Sequence, residues 1–259
     1  IINHALKIKS NLVIVFHTSV TPDVSISMQL LDPLGNCFYM GDRPDLLNLY
    51  LMKRIEELSK YSRKGTISIS QDMPHYTQPE SDYLEIIRKH GKKFQSFLTG
   101  ESEGTTRFLG NTSFRCIHGF PSMRVGDYIM VSKRNLDKST IDVDSFVPVK
   151  LMEGDKCEYE GKNKPSVDTP IQVALYQKYP NINYMLHSHV YVKDGLWVGG
   201  NPNPCGCLEE IDTILAAVPV DVDFFAVNMR GHGCIIAGKN YEALKEVEFF
   251  SRDIPEKWY

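Results

Sequence analysis

The sequence contains the stretch Tyr184-Met185-Leu186-His187-Ser188-His189-Val190, in which two histidines follow an apolar run. The run is typical of a buried strand. Because a strand turns alternate side chains to the same face, His187 and His189 are expected to point together. A third histidine, His232, follows a second strand-like run and stands between two glycines that permit a tight turn. Three neutral imidazoles that leave one position open are typical of a catalytic zinc site, whereas structural zinc sites are usually closed by cysteines. The pattern predicts a metal centre, and the alternative is three ordinary polar residues at strand ends.

Length, charge and hydropathy limit the classes of protein that this chain can belong to. Its 259 residues can form one large α/β domain or an ordinary domain with an extension. The 29 basic and 32 acidic residues are interspersed, which does not favour nucleic acid or an anionic membrane as a partner. No apolar run approaches the roughly 20 residues of a membrane span, and the N-terminus lacks the layout of a signal peptide. We expect a soluble, cytoplasmic protein.

The cysteines are scattered through a chain that is too large to need a disulfide framework, so reduced thiols are expected. They are Cys37, Cys116, Cys157, Cys205, Cys207 and Cys234. Cys205-Gly206-Cys207 is the only close pair, and it suggests a soft-metal or redox site. The sequence supplies no second C-x-C or C-x-x-C to complete such a site.

Residues 1–80 are predicted to form a small α/β extension of unknown role, and residues 81–259 a separate domain. The extension is expected to contain strands at 11–17, 36–40 and 66–70 and one helix at 42–64. It carries no glycine-rich phosphate loop and no cofactor motif, so no chemistry is assigned to it. The proline-containing segment 71–81 has the composition of a linker and marks the boundary.

The larger region alternates strand-like and helical patterns. Strands are predicted within 109–115, 128–132, 182–190, 224–227 and 234–237, and helices from 82, at 171–179, at 208–218 and from 240. Segment 153–164 is predicted to be a charged loop. The acidic face of the helix at 208–218 is most simply solvated surface.

Asp168 stands at the start of the helix predicted at 171–179, and two interpretations of this carboxylate are open. It can cap the helix N-terminus, for which Asp is among the preferred residues. It can instead face the predicted zinc and move protons. Only the geometry separates the two interpretations.

From about Asp82 onward, the chain resembles the class II aldolase/adducin family, which includes zinc-dependent sugar-phosphate aldolases and an epimerase. The matching motifs occur in the family's order: Gly110-Asn111-Thr112-Ser113-x-Arg115, Val131-Ser132, Lys164-Pro165-Ser166-x-Asp168, Leu186-His187-Ser188-His189 and Asn228 to Gly233. The resemblance implies a three-layer α/β/α fold with a central, largely antiparallel sheet. It also implies a homotetramer.

The resemblance further implies one Zn²⁺ or another divalent transition metal per subunit, held by His187, His189 and His232. It makes Asp168 the carboxylate that transfers a proton. The aldolases carry Glu at this position, so the shorter side chain of Asp168 is more similar to the epimerase branch of the family.

The same resemblance assigns Asn111, Ser132 and Ser166 to the substrate phosphate. The family's Thr-Gly is Ser132-Lys133 here, so Lys133 is predicted to hold the phosphate instead, unless the substrate lacks one. The tail that delivers a catalytic tyrosine in the family is nearly absent, and Tyr259 is a poor substitute.

Three functions are compatible with these observations. The first is a zinc-dependent lyase that cleaves or forms a carbon–carbon bond in a small ketose or ketose phosphate through a metal-stabilised enediolate. The second is an epimerase or dehydratase on the same site. The third is a non-catalytic, adducin-like module, against which the three convergent histidines argue.

Overall fold

The computed structural model describes residues 12–18, 26–60, 65–69, 77–99, 108–116, 127–152, 156–200, 202–250 and 256–257. These residues fall within two compact units, Ile1–Ser62 together with Arg252–Tyr259, and Arg63–Ser251. The domain boundary predicted at residue 80 stays a prediction.

In chain order, the described elements are β1 (Val13–Thr18), β2 (Ile26–Leu31), β3 (Asn36–Gly41), α1 (Pro44–Lys60), β4 (Thr66–Ile69), α2 (Ser81–Thr99), β5 (Asn111–Arg115), β6 (Tyr128–Ser132), β7 (Phe146–Leu151), β8 (Lys156–Tyr159), α3 (Thr169–Lys178), β9 (Tyr184–Ser188), β10 (Tyr191–Val192), β11 (Leu196–Val198), α4 (Glu209–Ala217), β12 (Phe224–Met229), β13 (Gly233–Gly238), β14 (Phe249–Phe250) and β15 (Glu256–Lys257). Short 3₁₀ turns lie at Lys138–Thr140, Val143–Ser145 and Tyr241–Leu244.

The smaller unit is a sheet in the order β1-β2-β3-β15 together with α1. Its first three strands pair antiparallel, and β15 pairs in parallel with β3. The strands predicted at 11–17 and 36–40 and the helix between 42 and 64 are confirmed, whereas β2 was not predicted. Its core contains Leu30, Phe38 and Leu47.

The larger unit is built on a nine-stranded sheet in the order β11-β12-β13-β9-β5-β6-β7-β8-β4. Only the two edge pairs, β11 with β12 and β4 with β8, are parallel. The predicted largely antiparallel sheet is therefore confirmed.

Helices cover both faces of this sheet. One buried cluster joins the sheet to α3 and α4 through residues such as Ile171 and Ile211, and a second joins it to α2 through Ile87. The predicted three-layer α/β/α architecture is therefore confirmed. On β9, Met185 packs in the first cluster and Leu186 in the second. Because strand side chains alternate, His187 lies on the face that α3 and α4 cover.

Three predictions about individual elements differ from the structure. β4 pairs with β8 of the larger sheet rather than with the strands of the smaller unit. β8 forms within segment 153–164, which was predicted to be a loop, because its alternate side chains Cys157 and Tyr159 are buried in the core.

The prediction of a helix from residue 240 is wrong. The structure has a 3₁₀ turn at Tyr241–Leu244 and then β14, whose residues pair with Tyr191 and Val192 of β10. Long-range strand pairing overrides the helical spacing of the apolar residues here. The linker predicted at 71–81 falls mostly on residues that the structure does not describe. Among the helices of the described part of the chain, none combines the length and apolar character needed to cross a membrane.

Candidate metal centre

His187, His189 and His232 converge at one end of the sheet. The centroids of the three rings lie 5.0 Å apart in each pair, and all three side chains are buried. Together with Asp168, they place one ligand atom each within 4.8 Å of one another. The structure thus brings together the four residues that the sequence singled out for metal binding and proton transfer.

His187 is the penultimate residue of β9, and strands pair with β9 on both sides of it. Its backbone is in register with Asn111 on β5 and Ile235 on β13. Its Nδ1 lies 2.9 Å from the carbonyl oxygen of Cys234, which can only accept, so Nδ1 donates and Nε2 keeps its lone pair. Nε2 is buried and has no hydrogen-bond partner. Burial lowers the pKa of His187 to about 4, so the ring is neutral and suited to bind a cation.

His232 lies in the turn between β12 and β13, and this turn depends on Gly233. The φ of Gly233 is +140°, and a Cβ atom there would lie 2.0 Å from the carbonyl oxygen of Ser188 and 2.7 Å from the Cα of His189. Only a residue without a side chain lets the two backbones approach so closely. The glycine therefore allows His232 to come beside His189.

Glu210 of α4 holds the other side of the His232 ring. Its Oε1 lies 2.5 Å from Nδ1, and both side chains are buried. Burial alone would lower the pKa of His232, but Glu210 and Cys205 beside the ring raise it above its usual value. Because a carboxylate oxygen accepts, Nδ1 donates to Glu210, and Nε2 is the nitrogen on the opposite side of the ring.

Sequence reasoning missed this role of Glu210, because the acidic face of the helix was interpreted as solvated surface. That interpretation is wrong for Glu210, which is 1% exposed. The available signal was helical spacing, since Glu210 stands four residues before the buried Ile214.

Asp168 occupies the N-cap position of α3, but its side chain makes no capping hydrogen bond. Its Oδ2 instead lies 3.7 Å from Nε2 of His187, and its buried Oδ1 has no hydrogen-bond partner. The carboxylate therefore faces the histidines rather than the backbone of its own helix.

These side chains fit a divalent transition metal. Imidazole nitrogens with a carboxylate oxygen are a donor set that such ions accept. Nε2 of His187 and Oδ1 of Asp168 are buried without hydrogen-bond partners, as expected for atoms whose partner is a bound ion.

Some of the residues that were predicted to contact the substrate are brought together by the structure. The amide Nδ2 of Asn111 donates to Oγ of Ser166 at 3.0 Å, and Gln172 of α3 donates to Oδ1 of Asn111. Oγ of Ser132 accepts from the backbone N–H of Thr112 at 3.1 Å. Asn111 and Ser166 are thus brought together, while Ser132 bonds to the backbone of β5.

The side chain of Lys133 lines a cavity with Asp144 and Glu160, and no contact of this side chain with Asn111 or Ser166 is observed among the described residues. Its backbone pairs with Pro165. The role predicted for Lys133 at the substrate phosphate stays a prediction, as do the roles of Asn111, Ser132 and Ser166.

A second lysine, Lys138, was not predicted. It is 3% exposed, and its Nζ donates to the carbonyl oxygen of Leu109 at 2.9 Å. Burial lowers its pKa to about 7, partly offset by the charges of Asp137 and Asp168. No sequence motif marked this lysine.

Part of the chain that carries this site is similar to a known family. Residues 98–192 match the Class II Aldolase and Adducin N-terminal domain, a span that contains Asp168, His187 and His189 but not His232.

Three solved structures are also similar to the chain. L-fuculose 1-phosphate aldolase is 18% identical, with 65% of this chain and 82% of that chain covered and a TM-score of 0.42. L-fuculose 1-phosphate aldolase from Glaciozyma antarctica PI12 is 14% identical, with coverages of 67% and 72% and a TM-score of 0.39. The N-terminal Class II Aldolase domain of a conserved protein from Thermoplasma acidophilum is 15% identical, with coverages of 68% and 93% and a TM-score of 0.41.

The resemblance inferred from the sequence is therefore confirmed: residues 98–192 of this chain are similar to the class II aldolase and adducin family.

Proposed function

We propose that this chain is a metal-dependent lyase that cleaves or forms a carbon–carbon bond in a small ketose or ketose phosphate. The observation that carries the proposal is the buried triangle of His187, His189 and His232, with the Asp168 carboxylate 3.7 Å from Nε2 of His187. The similarity of residues 98–192 to the Class II Aldolase and Adducin N-terminal domain supports the same chemistry.

His187, His189 and His232 would hold one ion, for which zinc suits a set of nitrogen donors. When bound, such an ion polarises a carbonyl oxygen and stabilises the negative charge that develops on it. The burial of all three rings keeps bulk water from the reacting atoms.

Asp168 acts as the general base in this proposal. Its Oδ1 is buried without a hydrogen-bond partner, so it can accept the proton of a substrate hydroxyl. Asn111, Ser166, Ser132 and Lys133 are proposed to bind the substrate, and its phosphate where there is one. The proton donor at the far end of the substrate is unassigned.

An epimerase or dehydratase is the second candidate, and the identity of Asp168 favours it. The same carboxylate and the same three histidines can move a proton next to a carbonyl without breaking a carbon–carbon bond. A non-catalytic, adducin-like module is the third candidate. We also propose a cytoplasmic homotetramer, on the basis of the family alone.

The test begins with metal analysis of the full chain and of His187→Ala. The wild-type protein should bind about one zinc per chain, and the variant should not. Incubation with dihydroxyacetone phosphate and short aldehydes should then give a new carbon–carbon bond. A change in the substrate without such a bond would select the epimerase or dehydratase, and a wild-type protein that cannot bind metal would leave only the module.

Asp168→Asn tests the base separately from the metal. The amide keeps the size of the side chain but cannot take up the proton, so kcat/KM should fall by about 10²–10⁴-fold while zinc stays bound. Asp221→Asn, at an exposed aspartate in the turn before β12, is the matched control and should keep full activity.

A further inference from the structure

The Cys205-Gly206-Cys207 segment places a thiol at the metal centre. Sγ of Cys205 lies 3.5 Å from Nε2 of His232. Since Glu210 occupies Nδ1 of the same ring, Nε2 is the nitrogen that faces the centre. The sulfur therefore lies on the side of the ring where an ion would bind, and not behind it.

The distance fits two ligands of one ion. In a tetrahedral zinc site, with Zn–N of about 2.0–2.1 Å and Zn–S of about 2.3 Å, the nitrogen and the sulfur are about 3.5 Å apart. The separation between Sγ and Nε2 has this value.

The turn that carries Cys205 is fixed in place. The N–H of Cys207 donates to the carbonyl oxygen of Pro204 at 3.3 Å, and Gly206 between the cysteines has a φ of +79°. A Cβ atom on Gly206 would be 3.4 Å from the carbonyl oxygen of Val167, so the turn runs beside the residue that precedes Asp168. The same chain segment continues into α4, which supplies Glu210.

Independent atoms point into the same centre. Nε2 of His187 belongs to a side chain that is 2% exposed, Oδ1 of Asp168 is itself buried, and neither atom has a hydrogen-bond partner. The thiol therefore adjoins one ring of the centre, whose ligand atoms within 4.8 Å of one another are those of Asp168, His187, His189 and His232.

We propose that Cys205 binds the metal ion as a thiolate, as a fourth protein ligand beside His187, His189 and His232. The inference rests on the proposed function, because it needs the ion that the histidines hold. On binding, the sulfur–hydrogen bond of the thiol breaks, its proton passes to solvent, and a sulfur–metal bond forms. A soft thiolate selects zinc or cobalt over magnesium and manganese.

This assignment gives a role to Cys205 of the isolated C-x-C motif and none to Cys207. A cysteine pair with no second pair is incomplete as a site by itself, but histidines from β9 and from the β12–β13 turn complete it. Four protein donors still admit a substrate, since catalytic zinc can expand to five ligands.

Cobalt substitution of the full, reduced chain tests the proposal. Co²⁺ bound to the wild-type protein should show a thiolate-to-cobalt charge-transfer band in the near ultraviolet. Cys205→Ser should lose this band, and Cys157→Ala, which removes a buried thiol on β8, should keep it. X-ray absorption of the zinc-loaded wild type should show one sulfur neighbour at about 2.3 Å, which needs no variant to fold.

The possible failures are distinguishable. Cobalt binding without the band, or a band that survives Cys205→Ser, would overturn the thiolate ligand and leave the lyase proposal intact. A wild-type chain that binds neither cobalt nor zinc would overturn both.

Discussion

Oε1 of Glu210 lies 2.5 Å from Nδ1 of His232, between two side chains that are each 1% exposed. A carboxylate in this position fixes the ring orientation and the tautomer of a metal-binding histidine and increases its basicity. Glu210 is therefore a positioning residue, since it reaches the centre only through His232.

Glu210→Gln should weaken zinc binding by about 10–100-fold, because the amide keeps the shape but not the charge that supports His232. Competition with a chromophoric chelator measures the affinity. Asp212→Asn, at an exposed position on the same helix, should leave it unchanged. Equal affinities for Glu210→Gln and the wild type would show that the pair does not support the ligand.

Gly233→Ala should lower the free energy of unfolding by about 2–4 kcal/mol, because a Cβ there meets backbone atoms and because φ is positive. The hairpin turn must shift, so zinc affinity should fall as well. Urea unfolding and chelator competition measure the two effects. Gly200→Ala is the matched control, since a Cβ at that glycine meets open space. A Gly233→Ala protein as stable as this control would contradict the expectation.

Lys138 should make the protein more stable as the pH rises through 7. Its pKa is about 7 in the folded protein and 10.5 in the unfolded chain, so between these values the unfolded chain binds more protons. The free energy of unfolding should therefore rise between pH 6.5 and 8.5, by on the order of 1 kcal/mol more in the wild type than in Lys138→Met. Urea unfolding of both proteins at both pH values measures this difference. If the free energy of unfolding changed with pH by the same amount in the wild type and in Lys138→Met, the expectation would be wrong.

His90 should make the protein less stable in acid. Its ring is 1% exposed, Nε2 lies 2.7 Å from the carbonyl oxygen of Leu244, and burial lowers its pKa to about 4. Because the pKa is depressed from 6.5, its contribution is complete above pH 6.5 and is lost as the pH falls from 6.5 towards 4. His90→Gln, which cannot take up this proton, should lose less stability than the wild type between pH 7 and 5. His17→Gln, at an exposed histidine, should instead follow the wild type.

Most of the larger unit could be predicted from its sequence, because its strands carry continuous apolar runs that end in recognisable turns. The apolar run at 182–190 predicted the strand that carries His187, and the two glycines around His232 predicted the turn that carries it. β7, β8, β10, β11 and β14 were not predicted. β8 is short and charged, and β14 depends on a partner strand that is far away in the sequence.

The ligand set could be predicted from residue type and spacing, but its supports could not. Glu210 and Cys205 contact His232, Lys138 contacts Leu109, and no sequence spacing encodes these contacts. Whether Asp168 capped its helix or faced the histidines also needed the geometry.

The last strand of the smaller unit's sheet is β15, which lies more than 200 residues after β3 in the sequence. β15 pairs with β3 at Glu256↔Asn36 and Lys257↔Cys37, so residues 63–251 are an insertion within the smaller unit. A fragment that ended at residue 62 would leave β3 with an open edge, and open edges template association with other chains. Truncations designed to isolate the larger unit should accordingly remove both pieces of the smaller one together.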